Sequence, residues 1–147
     1  MTPSVKILFS LSQDADGYPP IAVESVWATM CETPGRFVID NIPFFTRDAT
    51  IGDSVCTREE DGQHWFERVA KKSTNSLIRI VFFDPTRIPA IGKKISSLGC
   101  SIEVLAQYNL MAVNVPVEVE LSKVQSFLED QASDGSLDYE EPILRQP

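Results

Sequence analysis

Hydrophobic residues in the second half of the chain recur at spacings that change from those of a strand to those of a helix. Segment 76–84, SLIRIVFFD, has almost no polar interruption, which is typical of a central strand buried on both faces. Asp84 and Pro85 then suit the N-cap and the first position of a helix. An apolar stripe with spacings of three and four follows and stops at Gly99. We therefore predict a strand and then a helix over residues 86–98.

The rest of this half repeats the pattern. Residues 101–107 and 110–115 indicate two strands joined by a turn, and a second apolar stripe predicts a helix over residues 120–132. The segment SDGSLDYEEP then turns at Gly135 into a last strand. The predicted order, β-α-β-β-α-β, is that of the ferredoxin-like arrangement, in which two helices cover one face of an antiparallel sheet.

The amino-terminal half has no helical period of useful length. Its short hydrophobic segments predict a small, strongly bent sheet or barrel: VKILFSL, AVESVWATM, RFVIDNI, DSVCTREE and HWFERVAKK. Asp61 and Gly62 suit the positions of a tight hairpin turn that require positive φ. The polar segment 72–76 is too short for a flexible linker. We therefore predict an α+β protein in which a small β-rich, barrel-like half, residues 1–75, packs on a ferredoxin-like βαββαβ half, residues 76–147.

The segment IDNIPFF places one proline and two phenylalanines at the end of a predicted strand. Pro43 ends the strand because it has no N–H to donate to a neighbouring strand. Phe44 and Phe45 then fall where the chain turns back over the core, so we predict that both rings are at least partly buried. A ligand platform is the alternative interpretation.

Composition restricts the classes of partner. The chain has 147 residues, of which 43% are hydrophobic, and this is enough for a real core. Thirteen Lys and Arg against 21 Asp and Glu give a net charge of −8, which disfavours nucleic acid and anionic membrane surfaces as partners. The sequence shows neither an apolar run that could span a bilayer nor a signal peptide, so we expect a cytoplasmic protein.

The residues that usually carry chemistry form no catalytic or metal-binding pattern. His64 is the only histidine, and a general base needs a positioned partner. The three cysteines are far apart and lack C-x-x-C spacing, which favours reduced thiols over disulfides or a zinc site. Asp14 and Asp16 superficially suggest calcium, but the further ligands of a calcium loop are missing and a solvated turn is favoured. We therefore predict no enzymatic activity, no cofactor and no metal.

Acidic residues are concentrated in two segments. Residues 118–141 contain eight Asp and Glu and a single Lys, and the predicted hairpin tip carries a second group. A solvated helix face with a soluble tail is one interpretation. A partner with an electropositive cleft is the other, because complementary charge speeds association and allows the cleft to be occluded. The candidate partner-binding residues are Glu59, Glu60, Asp61, Glu129, Asp130, Asp134, Asp138, Glu140 and Glu141.

Four segments carry a resemblance to a known family: VESVWA at 23–28, FVIDNIPFF at 37–45, GDSV at 52–55 and STNSLIRIV at 73–81. In order and spacing they resemble a bacterial family catalogued as domain of unknown function 4265, over nearly the whole chain. The motifs are strand ends, turns and buried aromatic residues, and they include no catalytic residue. Members of this family are small cytoplasmic proteins, and some are associated with secreted polymorphic toxins as candidates for the immunity role.

The resemblance implies an immunity protein that neutralises a cognate toxin domain by direct stoichiometric binding. A toxin that acts on nucleotides, NAD or nucleic acids would have the electropositive cleft that the acidic residues suit. The alternative is a small-molecule-sensing regulatory module, which rests on analogy with other ferredoxin-like domains.

Overall fold

The computed structural model of the chain describes residues 4–146. These residues form nine strands, which are arranged in two sheets, and two α-helices. The protein is therefore a strand-rich mixed α/β protein, as the hydrophobic pattern predicts. The chain divides into two compact units, one ending at Ser73 and the other beginning at Thr74.

The first unit contains the five predicted strands: β1 (Ser4–Ser10), β2 (Val23–Met30), β3 (Arg36–Ile39), β4 (Ser54–Glu60) and β5 (Gln63–Lys71). Each strand pairs antiparallel with the next along the chain, and β1 also pairs parallel with β5, so the sheet closes on itself. Alternate residues point inward, and the rings of Phe9 and Phe66 stack with centroids 4.6 Å apart. Ile7, Val26 and Ile39 also belong to this core.

The turn between β4 and β5 has the predicted conformation. Asp61 has φ 53° and Gly62 has φ 77°, so two consecutive residues adopt the left-handed conformation. Tight hairpin turns of this kind match the right-handed twist of the strands that they join.

The segment IDNIPFF is held in place by a carboxylate on β2. Glu24 is only 6% exposed, and its two oxygens accept the backbone N–H groups of Phe44 at 2.6 Å, Phe45 at 3.0 Å and Thr46 at 2.8 Å. Phe45 is 7% exposed and Phe44 is half-buried, which confirms that both rings are at least partly buried. The charge of Glu24 is thus stabilised by three donors, as a buried carboxylate requires.

Asp53 has a comparable structural role at the start of β4. It is fully buried, and its carboxylate accepts the backbone N–H groups of Thr50 at 3.0 Å and Ser73 at 2.8 Å. The Ser73 hydroxyl in turn donates to the carbonyl of Ile51 at 3.1 Å. The loop before β4 and the end of the first unit are therefore joined through one buried side chain.

The second unit contains β6 (Ser76–Phe82), α1 (Ile88–Ser97), β7 (Ser101–Leu105), β8 (Leu110–Val115), α2 (Leu121–Ala132) and β9 (Leu137–Ile143). The strands form an antiparallel sheet in the order β7-β8-β6-β9. Ile78 and Ile80 of β6 belong to one core cluster with Ile95 of α1 and Leu128 of α2, so both helices cover the same face of the sheet.

Local sequence signals set the ends of these elements. The Asp84 side chain accepts the backbone N–H of Thr86 at 3.1 Å, and Pro85–Arg87 forms a 3-10 turn before α1 begins. Strand β7 ends earlier than the predicted 101–107, because Ala106–Tyr108 forms a second 3-10 turn. Asn109 then adopts φ 52°, a left-handed conformation that asparagine tolerates better than most residues.

Candidate protein-interaction surfaces

Six of the nine acidic residues predicted to contact a partner lie on one helix and the strand that follows it. Two are near the end of α2, one is in the turn after it, and three are on β9. Segment 129–141 contains no Lys or Arg. The six residues lie at the end of α2, in the turn after it and on both sides of β9, which is an edge strand of its sheet. We define this set as the acidic surface: Glu129, Asp130, Asp134, Asp138, Glu140 and Glu141.

Hydrogen bonds between β9 and α2 position two of these carboxylates. The Tyr139 hydroxyl donates to Oε2 of Glu129 at 2.6 Å, and Nε2 of Gln125 donates to Oε2 of Glu141 at 2.7 Å. The carboxylate of Glu129 raises the pKa of Tyr139 to about 12, because accepting this hydrogen bond stabilises the neutral phenol, and desolvation adds to the shift. Both carboxylates are thus held on the helix side of the sheet edge.

The opposite side of β9 carries Asp138 and Glu140, because side chains alternate along a strand. Arg79 of β6 lies opposite Glu140 in the register, and its Nη1 is 3.6 Å from Oε1 of Glu140. The Arg79 side chain is 3% exposed and that of Glu140 is 41% exposed. Arg79 therefore offsets part of the charge of Glu140, whereas Asp138 is exposed.

Asp134 lies in the turn after α2 and is also engaged. Hydrogen bonds from the side chain and backbone of Ser136 lower the pKa of Asp134, and the adjacent Arg87 guanidinium adds to this shift. Nη1 of Arg87 is 3.2 Å from Oδ2 of Asp134 and 3.1 Å from the Ser136 hydroxyl, and its Nη2 donates to Gln131. Asp134 therefore stabilises the turn, and Arg87 offsets part of its charge.

The other three predicted residues belong to the first unit. Glu59 and Glu60 end β4, Asp61 occupies the turn, and all three are exposed. Oε2 of Glu60 is 3.6 Å from Nε of Arg58. The nine residues therefore form two groups, one on each unit.

The residues considered above for catalysis or metal binding take part in packing or in a turn. The His64 ring lies 5.0 Å from the Phe37 ring. Burial raises the pKa of the Cys100 thiol to about 11, so this cysteine is a poor nucleophile at neutral pH. The Asp14 carboxylate accepts the backbone N–H groups of Asp16 and Tyr18, each at 2.9 Å, which is the geometry of a turn.

Two negative findings apply to the part of the chain that the structure describes. Residues 4–146 contain no group of three or more His, Cys, Asp or Glu side chains that could hold a metal ion. Neither of the two helices in this range is long and apolar enough to cross a membrane.

Sequence reasoning missed a partly exposed group on the first unit that includes both tryptophans. Trp27 is 48% exposed, and Nζ of Lys6 lies 5.1 Å from the centre of its ring. The alternation within β1 and β2 marks Lys6 and Trp27 as outward positions, and this signal could have indicated them. Their direct pairing depends on the register between the strands, which the sequence alone does not give.

The fold and the charge distribution together define a two-unit, strand-rich α/β protein with a concentrated acidic surface on its second unit. The chain belongs to the family described as a domain of unknown function (DUF4265), whose family model matches residues 24–139. The expected family membership is therefore confirmed.

The comparison with solved structures supports the fold. The chain is similar to the protein described as "Novel crystal structure of a hypothetical protein from Neisseria gonorrhoeae", with a TM-score of 0.72 and 24% identity over 99% of this chain and 96% of the other. No curated protein matches the chain.

Proposed function

We propose that this protein is an immunity protein, which neutralises a cognate bacterial toxin domain by direct stoichiometric binding without turnover or a cofactor. The observation that carries the proposal is the acidic surface, because six carboxylates lie within 13 residues of chain, 129–141, that contain no Lys or Arg. Such a surface suits a partner of opposite charge.

The negative charge of the acidic surface indicates which class of toxin would bind it. Toxin domains that act on nucleotides, NAD or nucleic acids bind phosphate groups and therefore require positive potential in their clefts. An acidic inhibitor associates rapidly with such a cleft and can cover it. Glu129 and Glu141 are restrained by hydrogen bonds, so they lose less side-chain entropy on binding than mobile surface carboxylates would.

The proposal extends to location and to excluded partners. A cytoplasmic immunity protein would meet the toxin where the toxin acts. The net charge of −8 repels phosphate backbones and anionic lipids, so the partner is a protein and neither nucleic acid nor a membrane.

We propose in addition that the first unit is barrel-like and the second ferredoxin-like. The closure of the five-stranded sheet through β1 and β5 supports the first assignment. The element order β-α-β-β-α-β and the strand order β7-β8-β6-β9, with both helices on one face, support the second.

The test is coexpression with the product of the adjacent gene, followed by purification and a toxicity assay. We expect a stable one-to-one complex and loss of toxicity. If the protein instead reverses the toxin's modification at substoichiometric amounts, immunity stands but the binding mechanism is wrong. If no complex forms, while an amino acid or nucleotide raises the melting temperature of the pure protein, the protein is the small-molecule sensor considered as the alternative.

A further inference from the structure

The outer surface of the first unit carries an apolar and cationic strip across four neighbouring strands. It contains both tryptophans of the chain, with a leucine between them and two cations beside them. We define the tryptophan face as Lys6, Leu8, Trp27, Arg58 and Trp65.

Strand register brings these residues together. Lys6 of β1 lies directly opposite Trp27 of β2, and Leu8 of β1 lies beside Trp65 of β5. Trp65 in turn lies opposite Arg58 of β4. The residues on either side of Leu8 and of Trp27 belong to the core, so Leu8 and Trp27 point outward by alternation.

Both cations lie against the faces of the tryptophans. Nζ of Lys6 is 5.1 Å from the centre of the Trp27 ring, and Cζ of Arg58 is 5.8 Å from that of Trp65. Arg58 also contacts Glu60 at 3.6 Å. Within residues 4–146, Lys6 has no such ion pair. Lys6 is therefore available to a carboxylate from outside the chain.

A cavity lies beside Lys6 because the sheet is weakly closed there. β1 and β5 pair at only two positions, Ile7 with His64 and Leu8 with Trp65. Where the strands separate, an open cavity of about 340 Å³ is lined by Val5, Lys6, Leu8, Gly62, Gln63 and His64. The Lys6 ammonium and the Gln63 amide are hydrogen-bond donors in its wall.

We propose that the tryptophan face binds an extended acidic segment of a protein partner. One carboxylate of that segment meets Lys6 at the cavity, and a neighbouring apolar side chain lies against Trp27 and Leu8. Tryptophan, tyrosine and arginine dominate the energetics of protein interfaces, and half-exposed Trp27 is of this kind. This proposal does not depend on the binding of a cognate toxin at the acidic surface of the second unit.

Single-stranded nucleic acid also stacks on tryptophans. The negative charge near this face favours a peptide with few carboxylates over nucleic acid. The β4–β5 hairpin beside this face carries Glu59 and Glu60 at the end of β4 and Asp61 in the turn. A continuous phosphate backbone would pass near these carboxylates and be repelled, because each nucleotide brings a charge. A peptide can present one carboxylate to Lys6 and separate it from the next by a neutral residue.

Intrinsic fluorescence tests the proposal directly, because both tryptophans of the chain lie on this face. The probe is an acetylated and amidated peptide GLELEG, and its control is GLQLQG. We expect a saturable change in emission with the acidic peptide and a dissociation constant about three- to fivefold higher for the glutamine peptide, as for a partly exposed ion pair.

Variants locate the contact. Lys6→Gln should weaken binding of GLELEG about three- to fivefold and abolish the difference between the peptides, whereas Lys93→Gln, at an exposed lysine of α1, should change neither. Trp27→Ala should weaken binding of both peptides, with Trp65 as the remaining reporter. Circular dichroism and the melting temperature check that each variant is folded.

Six results would overturn the proposal. The first five are no binding, equal binding of the two peptides, an unchanged preference in Lys6→Gln, an equal response to acetate at the same concentration, and tighter binding of oligothymidine. The acetate result would indicate a small-anion site, and the oligothymidine result would indicate nucleic acid. The sixth is a change in the emission spectrum with protein concentration in the absence of peptide. It would indicate that a second copy of the chain covers the face.

Discussion

The backbone N–H of Phe44 donates to Oε2 of Glu24 at 2.6 Å, although the two residues are 20 positions apart. The other oxygen of Glu24 accepts the N–H groups of Phe45 and Thr46. A loop that follows β3 is thus fixed to a strand that precedes it. The adjacent Phe45 ring is buried as a consequence, so the cluster of aromatic residues after Pro43 is part of the fold rather than an exposed ligand platform.

Replacing Glu24 should destabilise the first unit. Glu24→Ala leaves three backbone N–H groups without their acceptor, and we expect a loss of about 2–4 kcal/mol in the free energy of unfolding. Glu24→Gln keeps one acceptor oxygen and should lose less. Urea unfolding followed by tryptophan fluorescence reports on this unit, which contains both tryptophans. The control is Glu67→Ala, at an exposed position of β5. An equal effect of Glu24→Ala and Glu67→Ala would contradict the structural role.

Cys100 should react far more slowly with alkylating reagents than an ordinary thiol. Burial raises its pKa from 9.0 to about 11, which lowers the thiolate fraction at pH 8 about a hundredfold, and only the thiolate reacts. Cys31 and Cys56 are half-buried. Brief treatment with iodoacetamide at pH 8, followed by peptide mass spectrometry, should therefore modify Cys31 and Cys56 before Cys100.

Unfolding in urea provides the control for this experiment, because all three cysteines should then react. Rapid modification of Cys100 in the folded protein would show that the helix-covered core of the second unit opens readily, which its packing argues against.

The element types could be predicted from the sequence because they depend on local patterns. The apolar segment of β6, the stripe of α1 and the turn at Asp61 and Gly62 each follow from neighbouring residues, and the structure has each of them. The interactions of Glu24 could not be predicted, because its three donors are 20 to 22 residues away.

The candidate surfaces also combine features that depend on local sequence with contacts that depend on distant residues. The concentration of acidic residues over 129–141 could be predicted because these residues are close together in sequence, and their role in binding stays a prediction. The contact between Arg79 and Glu140 could not, because it requires the register between β6 and β9. A buried arginine within an otherwise apolar strand was nevertheless a visible exception to the hydrophobic pattern. Such exceptions indicate that a strand has a charged partner, but they do not identify it.

The stability of the second unit should depend on pH through Tyr139. Its hydroxyl donates to Glu129, and its pKa rises from 10.0, the value of an unperturbed tyrosine, to about 12. The folded pKa is above the unfolded value, so the stabilisation is fully present below pH 10 and is lost as the pH rises through 12. We expect Tyr139→Phe to be less stable by about 0.5 kcal/mol at pH 8, since the pair is largely exposed.

The measurement is urea unfolding at pH 8 and pH 11, followed by circular dichroism at 222 nm, because both α-helices belong to the second unit. The difference between the parent and Tyr139→Phe should shrink at the higher pH. Glu129→Gln should lower the midpoint of the Tyr139 tyrosinate signal, which is identified by its loss in Tyr139→Phe. An unchanged midpoint would show that Glu129 does not cause the shift.

Neutralising the acidic surface should slow association with the cognate toxin. The variant replaces the four carboxylates of this surface that form no ion pair within residues 4–146, which leaves out Glu140 and Asp134. It combines Glu129→Gln, Asp130→Asn, Asp138→Asn and Glu141→Gln. We expect the association rate constant at low salt to fall about tenfold and its dependence on ionic strength to flatten, because long-range attraction acts mainly on the encounter of the partners. Dissociation should change less. Stopped-flow or surface-based kinetics from low to high ionic strength would measure both effects.

A matched control separates the local surface from net charge. Asp16→Asn, Glu32→Gln, Asp48→Asn and Glu67→Gln also remove four exposed carboxylates, but from the first unit and away from the turn at Asp61. If both variants slow association equally, the overall charge of −8 steers the encounter and the acidic surface has no special role. If neither does, steering is not electrostatic. Replacing Glu59, Glu60 and Asp61 then tests whether the toxin is bound at the hairpin turn, because a direct contact there would speed dissociation even when the association rate is unchanged.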